Sequence, residues 1–297
     1  QTVDAALAEI ERLPGRHLYF LDDHLFGNPR FAAALFEGMR GMGRLWQAAG
    51  TVQSALAPGL LEKAAASGLR SLFVGFETTN AANLRDHHKV QNLNRDYPLA
   101  IRHLHDLGVM VNGSFVFGMD GDDEDVFDRT VAWAVGQGIE TATFHILTPY
   151  PGTGLHQRMR AQGRLLHDDW DLYDTRHVVF RPARLTAETL GAGYWRAYRT
   201  FYSWANLLQG AQAKRDWSGR LRHLAYAVGW KKAEPLWDWV IRARRMAQAL
   251  PLLESILAEW RRRESKTIGR RDQSNSIPNR GPVPEARPSR HPDSDAP

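Results

Sequence analysis

Five short apolar runs, each separated from the next by an amphipathic stretch, constrain this chain more than any other feature: RHLYFL, RLWQAAGTV, LRSLFVGFE, VMVNGSFVFG and TATFHIL. Helical patterns fall between and after them, near residues 29–40, 58–67, 95–107, 123–137 and 153–162. Parallel strands need a long crossover between them, and a helix is the usual one, so this alternation predicts repeated βα units and a parallel sheet. A sheet covered on both faces has nearly continuously apolar strands, and that is how these runs read. Gly68 and Gly108 follow the second and third of these helices, at the position where a left-handed residue ends a helix. Beyond residue 165 the strand signal fades into aromatic-rich helices near 186–208, 215–229 and 233–262, the last interrupted by Pro251. The expected organisation is an α/β unit over residues 1–165, a helical region over 166–263 and a disordered tail over 264–297. The tail holds six prolines and no aromatic residue, too little apolar surface to offset the entropy of ordering it.

Composition excludes several chemistries. The chain has 297 residues and no Cys. A disulfide scaffold, thiol catalysis, thiolate-bound zinc and an Fe–S cluster held by this chain's own sulfurs are therefore ruled out. The opening segment QTVDAALAEIERL carries acids throughout, unlike an export signal, and no apolar run approaches the roughly 20 residues of a membrane helix. A cytoplasmic setting is expected. The basic excess sits in one place: residues 211–263 carry a net charge of +7 and five Trp. A solvated helical face accounts for this, as does peripheral contact with an anionic membrane surface at the inner face, where indole suits the headgroup boundary. No nucleic-acid-binding motif accompanies it.

Parallel α/β sheets and barrels bind ligands at the C-terminal ends of their strands. That rim is polar here. It carries Asp22, Asp23 and His24 after the first run, and Glu77, Thr78 and Thr79 at the end of the third. The fourth run contains Asn112 and Ser114 and leads into Gly118-Met119-Asp120-Gly121-Asp122-Asp123; the fifth contains His145 and leads into Thr148-Pro149-Tyr150-Pro151-Gly152-Thr153. Each has a structural explanation available: Asp22, Thr78 and Asp122 as helix caps, PYPG as a turn. The acid run from Asp120 to Asp125 suits a helix N-terminus. The pair His87-His88 reads as a solvated loop.

The ordered set FLDD (20–23), GFE (75–77), GSFVFGMDGDD (113–123) and LTPYPGT (147–153) resembles the radical S-adenosylmethionine superfamily, and most closely its cobalamin-dependent branch. The resemblance spans roughly residues 1–205. It implies a partial (βα) barrel of the radical SAM type with about five βα units present, S-adenosylmethionine and a [4Fe-4S] cluster as cofactors, and cobalamin through an upstream domain. It implies 5′-deoxyadenosyl radical chemistry, with methyl transfer from cobalamin as one outcome, on a small-molecule or lipid-like organic substrate, and an electron donor protein as partner.

Carried over residue by residue, Asp22 and Asp23 would meet the methionine ammonium, Glu77 the ribose hydroxyls or the substrate, and Ser114 the ribose or carboxylate. Gly118 would let the backbone approach the ligand, and Thr148, Pro149, Pro151 and Gly152 would present backbone groups to the adenine edge. The family's CxxxCxxC cluster loop is missing. The expectation is that the sequence starts inside the helix after the first barrel strand, so that this chain alone is inactive; a degenerate, cluster-free scaffold is the other account. Independently of the resemblance, Asp22, Asp23, His24, Glu77 and His145 could form a hard-metal hydrolase site on the rim.

Overall fold

A computed structural model describes residues 2–22, 25–86, 96–214 and 216–229. These fall within one compact unit, Gln1–Glu234. The expected disordered tail, the helix over 233–262, the pair His87-His88, and Asp23 with His24 lie outside the described residues.

The five apolar runs form five strands: β1 (His17–Tyr19), β2 (Leu45–Gly50), β3 (Leu69–Glu77), β4 (Met110–Phe117) and β5 (Thr141–Ile146). All neighbours pair in parallel, and the spatial order β1-β2-β3-β4-β5 equals the sequence order. Every crossover therefore steps the same way. With right-handed connections, such stepping puts the crossover helices on one face and leaves the other to the strands' own side chains. The sheet is a curled half-barrel. The principal crossover helices are α2 (Pro29–Met39), α4 (Leu60–Ser67), α6 (Tyr97–Asp106) and α7 (Val126–Gly136), with the short α3 (Val52–Ala55) and α5 (Ala81–Asp86) beside them. Helix α1 (Val3–Arg12) precedes the sheet; α8 (Gly154–Ala161), α9 (Ala187–Phe201), α10 (Trp204–Gln212) and α11 (Trp217–Ala227) follow it.

Successive strand residues point to opposite faces, and here the two faces differ sharply. Leu72, Val74 and Phe76 on β3, Val111, Phe115 and Phe117 on β4, and Ala142, Phe144 and Ile146 on β5 are buried in the core. Phe76, Phe115 and Phe144 stack in sequence across the sheet, at centroid separations of 5.7 and 5.8 Å, and Trp133 of α7 packs edge-on against Phe76 and Phe115. The opposite parity carries Gln47, Ser71, Asn112, Ser114, Thr143 and His145. The expectation of nearly continuous apolar strands is thus corrected: a one-sided layer of helices leaves the second face free to be polar.

Local signals explain most boundaries. Gly68 adopts φ +112° as α4 ends, and a Cβ there would strike the Arg44 carbonyl, so only glycine fits. Gly108 likewise turns the chain at φ +71° after α6. Arg44 donates to the carbonyls of Glu11 and Leu13, 3.1 and 2.8 Å away, and closes the C-terminal end of α1. The helix expected over 186–208 is two, because Ser203 leaves helical geometry and its hydroxyl accepts the Asn206 N–H at 3.3 Å, capping α10.

Helix α9 packs on β5 and α7. The Tyr202 hydroxyl accepts from the Ala142 N–H and donates to its carbonyl, both at 3.0 Å. The Tyr198 hydroxyl does the same at Phe144, at 3.1 and 3.3 Å, and the Ile146 N–H donates to the Thr175 carbonyl at 2.7 Å. At the opposite end of the strands, Glu140 is buried in contact with Lys214 and accepts the Val111 N–H at 2.9 Å. Burial alone would raise the Glu140 pKa, but the His105 hydrogen bond and the Lys214 charge prevail and hold it down at about 2. This cluster joins the strand starts to the segment between α10 and α11, the barrel face that ordinarily serves stability.

Candidate functional site

The C-terminal strand ends gather most of the expected site residues along one rim. Asp22 is exposed, three residues beyond β1, where the Phe20 N–H still donates to Gln47 on β2 at 3.0 Å. Ser114 is buried on the polar face, in register with Gly75 on β3 and Thr143 on β5. Thr148 and Pro149 are buried just past β5, Pro151 is half-buried and Gly152 is exposed with φ +85°. The Thr148 hydroxyl donates to the Ile146 carbonyl at 2.9 Å, and the Thr153 hydroxyl accepts the His156 N–H at 3.2 Å, capping α8. The LTPYPGT segment thus enters a helix in a fixed turn.

Glu77 ends β3 in an unusual conformation. Its φ is +63°, the pairing with β4 slips between Gly75 and Glu77, and the Thr78 N–H donates to the Phe76 carbonyl at 2.8 Å. That bond across one residue, with positive φ at a non-glycine centre, makes a γ-turn, a geometry costing about 1–3 kcal/mol. The turn brings the carboxylate back over the polar face: a Cβ on Gly75 would lie 3.3 Å from Glu77 Oε1. Thr78 does not act as a simple helix cap; its hydroxyl accepts the Asn80 N–H at 3.1 Å within the same turn.

His145 lies on β5, on the same polar face and one strand beyond β4 from Glu77. Its Nδ1 lies 3.2 Å from the Thr175 hydroxyl. Burial pushes the imidazole pKa down and the Glu77 charge offsets part of that, so the ring is neutral near neutrality. Thr175, with φ +66°, is the other non-glycine residue with positive φ among the described residues. It belongs to a turn in which Asp174 accepts the N–H groups of Arg176 and His177, at 2.8 and 3.0 Å. The sequence gives that turn away through Asp174, but no local signal says that it abuts His145.

The loop after β4 departs from expectation. Asp122 caps no helix. One of its oxygens accepts the N–H groups of Gly118 and Met119 at 2.8 and 3.0 Å, and the other accepts from the Asn83 amide at 2.7 Å. Asn83 in turn accepts the Gly121 N–H at 3.0 Å. Burial outweighs these donors and lifts the Asp122 pKa to about 6. Gly118, with φ +94°, is explained by packing, since a Cβ there would lie 2.8 Å from Leu190 and 3.2 Å from Phe180. The outer edge of the loop is tied down by Arg164, whose two terminal nitrogens reach Asp120 at 2.6 and 3.1 Å.

Among the described residues no three His, Asp or Glu side chains converge as metal ligands. None of the described helices is long and apolar enough to cross a membrane. Most of the basic, Trp-rich stretch 211–263 lies outside the described residues.

No family model matches the chain. It is 32% identical over 214 residues to a bacteriochlorophyllide d C-12(1)-methyltransferase of Chlorobaculum tepidum, covering 71% of this chain and 46% of that protein. It is 25% identical over 152 residues to a bacteriochlorophyllide d C-8(2)-methyltransferase of the same organism, covering 51% of this chain and 34% of that one. It is 28% identical over 158 residues to a hopanoid C-2 methylase of Rhodopseudomonas palustris, covering 51% and 30%. The chain spans less than half the length of each of these relatives. All are enzymes that transfer methyl groups, and the half-barrel with its ordered strand-end motifs resembles the radical S-adenosylmethionine superfamily in its cobalamin-dependent branch.

Proposed function

We propose that this chain forms the S-adenosylmethionine-facing wall of a cobalamin-dependent radical methyltransferase that acts on a large, hydrophobic organic substrate. The observation that carries this reading is the Glu77 carboxylate, held by a γ-turn over a polar sheet face at the C-terminal ends of parallel strands. The relatives named for bacteriochlorophyllide and hopanoid methylation support the reaction class and the hydrophobic substrate.

The donor set suits S-adenosylmethionine. A carboxylate at the rim can accept from ribose hydroxyls or an ammonium group, and such bonds are about twice as strong as neutral ones. Ser114 adds a hydroxyl on the same face, and the fixed LTPYPGT turn offers backbone groups with no side-chain entropy to lose. When bound, S-adenosylmethionine supplies the methyl or 5′-deoxyadenosyl group. The residues here do not fit a [4Fe-4S] cluster: with no Cys, the chain offers it no thiolate. In this reading the cluster and the cobalamin are held by polypeptide outside these 297 residues.

Titration calorimetry of the chain with S-adenosylmethionine tests the proposal. The parent binds, and Glu77→Gln and Asp22→Ala each weaken binding roughly ten- to hundredfold, the effect of losing one charge-assisted hydrogen bond. Equal affinity in parent and both variants, with unchanged circular dichroism, refutes it.

A further inference from the structure

A buried side-chain pair ties two of the rim loops together. Asn83 stands on α5, in the crossover after β3, and Asp122 lies 39 residues further on, in the loop after β4. Their exposures are 0 and 1%. The Asn83 amide spans the gap with both of its polar atoms: the nitrogen donates to Asp122 at 2.7 Å, and the oxygen accepts the Gly121 N–H at 3.0 Å. A backbone N–H can only donate, so the orientation of the amide is fixed. The fit is close. A Cβ on Gly121 would strike Asn83 Oδ1 and lie 3.4 Å from Asn80 Nδ2. From Asn83 the chain runs back to Glu77 through bonded turns. The Leu84 N–H donates to the Asn80 carbonyl at 3.2 Å, the Asn80 N–H to the Thr78 hydroxyl at 3.1 Å, and the Thr78 N–H closes the γ-turn on Phe76. Each link is short, so little slack separates Asn83 from the turn that carries the carboxylate.

We infer that Asn83 is a positioning residue: bonded to Asp122 and Gly121, it holds the turn that carries Glu77 against the loop after β4, and so sets the affinity of the rim for S-adenosylmethionine. The donors and acceptors show why Asp122 must be ionised. As a carboxylate it accepts from Gly118, Met119 and Asn83, and every donor in the brace has an acceptor. A proton added to either oxygen meets an N–H, and the oxygen facing Asn83 meets one donor rather than two. The amide must turn over to receive that proton. It then presents its nitrogen to the Gly121 N–H, so a bond between the two loops is lost in either orientation. Burial lifts the Asp122 pKa to about 6, which brings this exchange within reach of mild acid. The neighbouring charges are paired elsewhere: Asp123 is bonded to Arg129 of α7 at 2.7 Å and held low by it, and Asp120 is paired with Arg164.

This inference rests on the reading of Glu77 as the ligand-facing carboxylate, and its test separates the two. Proton–nitrogen NMR on the full chain, with no ligand, follows the amides of Gly118, Met119, Gly121 and Thr78. In the parent the first three shift together with a midpoint at a pH of about 6. Asn83→Ala releases Gly121 from that titration and moves Thr78. Calorimetric titration with S-adenosylmethionine gives about a tenfold loss of affinity in Asn83→Ala and in Asp122→Asn at neutral pH. Parent affinity falls as pH drops through about 6, and that of Asp122→Asn does not. The exchanged double variant, Asn83→Asp with Asp122→Asn, matches every donor to an acceptor again and recovers affinity to within about threefold of the parent. It also carries the test if Asn83→Ala unfolds: an exchanged variant no tighter than Asp122→Asn overturns the inference. Thr78 unmoved in Asn83→Ala overturns it too, as does full affinity in Asn83→Ala where Glu77→Gln binds weakly. Affinity that ignores Glu77→Gln, in a chain whose Thr78 amide follows Asn83→Ala, supports the brace and refutes the cofactor reading instead.

Discussion

Replacing Asp122 with Ala removes the acceptor that gathers three donors in and around the loop after β4. Three donors lose their partner: the N–H groups of Gly118 and Met119 and the amide of Asn83, which cannot turn away because its oxygen holds the Gly121 N–H. Hydrogen bonds to a charged acceptor contribute about 1.5–3 kcal/mol each, so their loss costs roughly 4–9 kcal/mol. Against this stands the cost that burial imposes on the ionised carboxylate, which lifts its pKa from 3.8 to about 6. A shift of that size corresponds to about 3 kcal/mol returned on truncation at neutral pH.

The net destabilisation expected at pH 7.5 is about 3 kcal/mol, a fall in thermal midpoint of roughly 6–12 °C for a chain of this size. The pH dependence carries the sharper test. A raised folded-state pKa gives a contribution fully present below the unfolded value of 3.8 and lost as pH rises through about 6. The parent's advantage over Asp122→Ala therefore widens on acidification, by about 2 kcal/mol between pH 7.5 and 4.5. Urea unfolding at the two pH values measures it. An advantage that stays constant or narrows refutes the raised pKa, and an unchanged midpoint at pH 7.5 refutes the clamp itself.

Two further outcomes follow from the packing. Glu140→Gln leaves Lys214 charged and buried without its partner, and is expected to cost about 3–5 kcal/mol at neutral pH, with much of it recovered in the double variant Glu140→Leu with Lys214→Met. Because the Glu140 pKa is lowered from 4.5 to about 2, its contribution is present above 4.5 and lost as pH falls through about 2, so parent and Glu140→Gln converge in strong acid when unfolding is followed by circular dichroism. Tyr198→Phe with Tyr202→Phe strips the hydroxyls that serve the backbone of Ala142 and Phe144, and costs about 1–3 kcal/mol while raising light scattering on heating; an unchanged urea midpoint with no added scattering contradicts that role.

The strands were legible because each run is aromatic or β-branched and bounded by glycine or by a helix pattern, and all five appear within a few residues of their expected limits. The difference between the two faces was not. Ser71, Asn112, Ser114 and Thr143 alternate with large apolar residues, and a run dominated by Phe, Val and Leu reads as continuous unless the helices are known to lie on one side only. Glu77 was recoverable from its place at the end of a run, whereas its γ-turn depends on a slip in register against β4. Asp122 was read as a helix cap because acids favour that position; in the fold its side chain turns back to the amides of Gly118 and Met119. The contact between His145 and Thr175 is between segments 30 residues apart and leaves no periodic trace.

The lateral boundaries of the sheet are not equivalent. Along β5 the outward backbone groups of Ala142, Phe144 and Ile146 are spoken for by two phenols and one carbonyl. Among the described residues β1 pairs with β2 alone, and His17 and Tyr19 are exposed. The sheet is therefore finished on one side: a strand that would add beyond β5 finds its donors and acceptors already taken. The tyrosines thus act as a stop on strand addition, and removing their hydroxyls uncovers a template where the sheet now ends.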